Sequence, residues 1–187
     1  MQAMQFTKAD ARFGNRGTGA MFFSVFGAVW LFGWASGAHA GAVWFAAILI
    51  VAGILFAVAL QRYRRDAPEA ARFKDTPERR RAGRVFNIVN SAQWIAIVGL
   101  GLVLGNTGHG AWIIPMAIGI VGLHFYPLAV VFRTPMHYLT GSAMVALAIG
   151  YPLLAGPRSP VGFLGAGLIL WLSAAWALRP HAVQVDS

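Results

Sequence analysis

The sequence predicts an all-α polytopic membrane protein, a compact bundle of six transmembrane helices read as three helical hairpins, with both termini cytoplasmic. Three observations predict it. The chain of 187 residues is 58% hydrophobic and only 11% charged, outside the range of an ordinary soluble domain. Its apolar residues gather in six runs, 20–38, 42–60, 85–105, 111–131, 138–156 and 161–178, each about the length an α-helix needs to cross the hydrocarbon core. Threaded alternately, these runs put Lys8, Arg12, Arg16, the Arg62–Arg84 segment, Arg133 and Arg179 on one side, and only Arg158 on the other. Excess Lys and Arg marks the cytoplasmic side. The acids Asp10, Asp66, Glu69, Asp75, Glu78 and Asp186 fall on that side too, and no carboxylate lies inside a run. Residues 1–187 therefore read as a single membrane domain with one basic cytoplasmic loop, 61–84. The expected location is a bacterial-type cytoplasmic (inner) membrane.

The net charge of +9 follows from this asymmetry and from attraction to anionic headgroups, so nucleic acid is not expected as a partner. With no cysteine, disulfides, thiolate nucleophiles and Cys-ligated metal centres are excluded. One competing reading concerns the first run. Lys8, Arg12 and Arg16, the apolar stretch and Ala38-His39-Ala40 imitate a signal peptide with a small-residue cleavage site. The run is longer than a usual signal core and heavy with Phe and Trp, which favours a span.

Each element has its own signals. Span one enters after Gly14-Asn15-Arg16-Gly17 and carries Trp30 and Trp34 towards its outer end. Trp44 and Trp112 open the spans descending from outside, and Trp176 closes the last near the inside; tryptophan at such depths anchors the interface. Trp94 and Trp171 lie deeper and are expected to pack against other helices. In the basic loop, Asp66 followed by Glu69 resembles a capping box, and Thr76-Pro77-Glu78 reads as N-cap, N1 and acidic first turn. The second signal predicts that span three begins as a cytoplasmic helix carrying Arg79, Arg80 and Arg81. The loop holds nine basic side chains against four acidic, so anionic lipid headgroups at Arg79, Arg80 and Arg81 are an expected partner. Two outer hairpins share an order of hydroxyl, Gly, His, Gly, Ala, Trp: Ser36 to Trp44 and Thr107 to Trp112. Gly101-x-x-x-Gly105 has the spacing for close helix approach, and a homo-oligomer is compatible with it.

The polar residues that could carry chemistry lie in the inner half of the membrane. Asn87, Asn90, Ser91 and Trp94 follow i, i+3, i+4, i+7 and share one helix face, with Gln93 beside them. Asn90 to Trp94 lie roughly 8–14 Å above the inner end of span three, and His124 on span four sits roughly 10 Å above the same surface. Pro127 cannot donate to the carbonyl of Leu123 and frees it for a partner. Two readings stay open. Asn, Gln and Ser across helices serve as interhelical glue, or they line a pocket, an intramembrane ionisable residue such as His124 being a default site hypothesis. On the second reading the ligand-binding residues are Asn87, Asn90, Ser91, Gln93, Trp94, His124 and Tyr126.

Without carboxylates in the spans, the chain lacks the usual machinery for cation coupling. The expected function is binding or transport of a small neutral or anionic molecule through this cytoplasm-facing pocket. The alternatives are a structural or regulatory membrane protein acting through its basic loop, and a haem- or metal-binding redox protein using His39 and His109. Two loop histidines fall short of a closed metal site, so no cofactor is expected. No catalytic motif is present either, and an enzyme is not the favoured reading. His137 and His181 read as interfacial or exposed.

Overall fold

The computed structural model describes residues 16–71 and 75–179. Among these residues there are six α-helices and no strand: α1 (Arg16–Gly37), α2 (Ala42–Ala71), α3 (Pro77–Asn106), α4 (Ile113–Phe132), α5 (Met136–Ala155) and α6 (Val161–Ala177), with a 3₁₀ turn at Gly110–Trp112 before α4. Five of them, α1 to α5, are long and apolar enough to cross a membrane, the pattern of a multi-pass membrane protein; α6 is shorter at 17 residues. Expectations placed on Lys8, Asp10, Arg12, Gly14, Asn15, Arg72, Lys74, His181 and Asp186 fall outside the described residues.

The basic segment is mostly helix rather than loop. Helix α2 has 30 residues and continues past the apolar run through Pro68 to Ala71, so no new helix starts at Asp66. Instead Asp66 sits inside α2 and pairs with Arg62 one turn earlier, at 3.4 Å, the i, i+4 spacing that suits a helix surface. The second start signal is realised. Thr76 is the N-cap of α3, its hydroxyl accepts from the Arg79 N–H at 3.4 Å, and Pro77 and Glu78 form the first turn. Helix α3 also has 30 residues, about 45 Å, so its first two turns extend beyond a hydrocarbon core of about 30 Å.

Four helices make the centre. Helix α6 lies along α1 and α5, α4 lies along α5, and the N-terminal half of α1 reaches α4 through a ring contact of Phe23 with Phe125 at 5.6 Å. Helix α2 flanks α1, and α3 flanks α4. Ile118, Phe125, Met144 and Leu170 form the buried middle. Two crossings depend on glycine. A Cβ on Gly167 would stand 2.9 Å from the Gly27 carbonyl oxygen, and one on Gly122 would stand 2.9 Å from that of Gly141. Both separations are below ordinary carbon–oxygen contact, so backbone meets backbone only because these side chains are absent. Gly101 and Gly105 do not work this way: nothing lies within 4 Å of a Cβ built on either. Their spacing is right, but the face that carries them meets no helix among the described residues.

Polar bonds tie the same crossings. The Trp171 indole N–H donates to the Ser24 carbonyl at 3.1 Å across α1 and α6, as expected of a deep, packed tryptophan. The hydroxyls of Thr140 and Ser173 meet at 2.8 Å between α5 and α6, both buried. They also reach the carbonyls of Met136 and Ile169 on their own helices, so two hydroxyl protons serve three contacts. Replacing Thr140 by Val removes the bond between helices while Ser173 keeps the Ile169 carbonyl. The expected cost is about 0.6 kcal/mol, the average for hydrogen bonds between helices in lipid, read as a small fall in thermal midpoint in detergent.

Candidate functional site

A ring pair sets the register of α3 against α4: Phe86 and Phe132 lie 6.2 Å apart. Seven residues up α3 from Phe86 is Gln93, and eight back along α4 from Phe132 is His124, or about 10.5 and 12 Å at the helical rise. The two side chains are therefore level across this antiparallel seam.

The seam takes only part of the polar set read from the sequence. Helix α3 turns half-buried Phe86, Val89, Asn90, Gln93 and Ile97 towards the bundle, and leaves Asn87, Ser91 and Trp94 exposed on its outer side. The grouping of Asn87, Asn90, Ser91 and Trp94 as one inward face is thus divided. The physical reason is that Phe86, Val89 and Ile97 carry the apolar area worth burying. Asn90 and Gln93 lie on their line, whereas Trp94, Asn87 and Ser91 lie to one side of it, about 80–140° around the helix. Trp94, expected to pack, is 47% exposed.

Gln93 is the distinctive residue of the seam. Its carbonyl oxygen is buried and has no hydrogen-bond partner among the described residues. A buried acceptor left unpaired costs about 1–3 kcal/mol. His124 is half-buried, and its Nδ1–H donates to the carbonyl of Val121 one turn earlier. A carbonyl can only accept, so Nδ1 carries a proton in this bond, and in the neutral tautomer Nε2 is the acceptor. Gln93 and His124 thus stand at one depth on neighbouring helices. Asn90 adds an amide within one turn below.

Tyr126 belongs elsewhere. It stands on the side of α4 where Gly119 and Gly122 meet α5, its hydroxyl 2.9 Å from that of Ser142 and its ring 6.0 Å from Tyr138. His137, read from the sequence as interfacial or exposed, is half-buried at the start of α5. Its ring lies 5.6 Å from Phe125 and edge-on to Phe23 at 6.0 Å, and its Nδ1 is buried without a partner among the described residues. The signal that could have found it was the seven-residue step from Phe125 to Phe132, which marks one apolar face of α4 leading straight to the α5 start.

His39 and His109 sit in the α1–α2 and α3–α4 hairpins, on opposite flanks of the bundle. His39 holds the left-handed position of its turn, φ 51°, whereas in the second hairpin Gly108 does, φ 78°, so the two turns differ despite their shared order of residues. His109 Nδ1 lies 3.2 Å from the Thr107 hydroxyl. No group of three His, Cys, Asp or Glu side chains able to hold a metal occurs among the described residues.

No family model, curated protein or solved structure matches this chain.

Proposed function

We propose that the protein binds or transports a small neutral molecule bearing N–H or O–H donors, held at the inner seam of α3 and α4 by Gln93 and His124. The observation that carries this reading is the buried, unpartnered carbonyl oxygen of Gln93, level with a histidine whose Nδ1 is already engaged. Two acceptors favour a donor-rich neutral ligand over an anion, which would meet lone pairs rather than protons. A cation is disfavoured because no carboxylate lies within the apolar runs. The frame for this reading is a chain that crosses a cytoplasmic membrane six times, α6 included, with both termini inside. Nine Lys and Arg side chains among 62–84, with Arg133 and Arg179, against the single outer Arg158 support that orientation.

Native mass spectrometry of gently extracted protein tests the proposal. The wild type is expected to carry a small polar molecule that His124→Ala loses, at unchanged secondary structure. Equal occupancy of the two proteins would refute the role given to His124.

A further inference from the structure

The outer side of α3 has an order of chemistry that the seam does not use. Arg80, Arg84, Asn87, Ser91, Ile95 and Val98 fall within one stripe of the helix at steps of three or four residues. At the helix start, Arg80, Arg81 and Arg84 line a concavity of about 430 Å³ with Asp75 and Pro77. Asp75 lies 3.7 Å from Arg80, and Arg81 and Arg84 make no ion pair among the described residues. Three positive charges thus face one negative. Asn87 stands about 4.5 Å above Arg84 along the axis and Ser91 about 10.5 Å above it. Both are exposed, and neither side chain has a hydrogen bond among the described residues. Further up, Ile95 is 72% and Val98 55% exposed.

Hydrocarbon alone does not suit this stripe, because an amide and a hydroxyl facing acyl chains lack partners. A second copy of the chain does not suit it either. Copies sharing one topology would pair by a two-fold along the membrane normal and set Arg80 and Arg84 against their own counterparts. An anionic phospholipid matches it layer by layer: phosphate at the guanidiniums, glycerol-ester carbonyls at the Asn87 amide and Ser91 hydroxyl, acyl chain along Ile95 and Val98. Guanidinium groups take phosphate oxygens in bidentate geometry, and basic pockets at the cytoplasmic face suit multiply charged headgroups.

We infer that the outer side of α3 is an inner-leaflet lipid site for a headgroup with two phosphates, seated on Arg80, Arg81 and Arg84 and anchored by Asn87. It lies across α3 from the seam, so the two are tested separately.

The full chain is reconstituted in vesicles of phosphatidylcholine doped with cardiolipin, or with phosphatidylglycerol at equal total charge, and released for native mass spectrometry. Cardiolipin is expected to stay on the wild type and phosphatidylglycerol to leave. Each Arg→Gln change is expected to lower retention about fivefold. Asn87→Leu, on an exposed helical position that tolerates leucine, is expected to lower it about threefold at unchanged headgroup charge, the share of one hydrogen bond. Equal retention of the two lipids would reduce the site to a diffuse basic surface and overturn the proposal. So would retention unaffected by Asn87→Leu, or a dimer that Asn87→Leu and Ser91→Leu dissociate.

Discussion

Gly122→Leu is expected to cost the bundle about 3 kcal/mol or more and to leave little folded protein after extraction. A first carbon at this position already meets the Gly141 carbonyl oxygen at 2.9 Å and the backbone nitrogen of Val145 at 2.9 Å. Neither neighbour is a side chain that can swing away, so α4 and α5 must separate. That separation opens the contacts around Ile118, Phe125 and Met144, which are buried together. Gly101→Leu, on a helix whose Cβ position is open, provides the contrast and is expected to change stability by less than about 1 kcal/mol. Thermal unfolding of the two variants in one detergent checks both. A Gly122→Leu protein as stable as Gly101→Leu would show that the α4–α5 crossing tolerates a wider spacing.

This contrast also shows how far the sequence could be read. Length and apolar runs place the helices because the period of burial is written residue by residue, and Thr76-Pro77-Glu78 marks the start of α3 because caps are local chemistry. The capping-box reading at Asp66 fails for a related reason: Asp66 is equally able to pair with Arg62 at i+4, and α2 simply continues. Which face of a helix turns inward is not local. Asn87, Asn90, Ser91 and Trp94 form a genuine stripe, yet α3 is oriented by Phe86 and Ile97 against α4, and that choice divides the stripe. The depth match of Gln93 with His124 was legible, since both follow from rise per residue. The burial of His137 was not, because its cage comes from Phe23, Phe125 and Phe132 on two other helices.

The second large effect concerns Gln93. Its buried oxygen has no partner among the described residues, so Gln93→Leu removes a polar burial cost and is expected to raise stability by about 1 kcal/mol. The same change deletes half of the proposed ligand contact, and retention of the small molecule is expected to fall at least about tenfold. Stability and binding thus move in opposite directions at one residue, as they do where a site keeps unpaired polar groups for a ligand to satisfy. Asn90→Leu, one turn below, is expected to lower retention less, because Asn90 has no buried unpartnered atom among the described residues.

Thermal unfolding of wild type and Gln93→Leu, each measured as first extracted and again after exhaustive detergent washing, tests the seam most directly. With a ligand at Gln93, the wild type unfolds at the higher temperature as extracted, and Gln93→Leu unfolds at the higher temperature once washed. If Gln93→Leu is the less stable protein in both states, Gln93 is interhelical glue and the seam is not a ligand site.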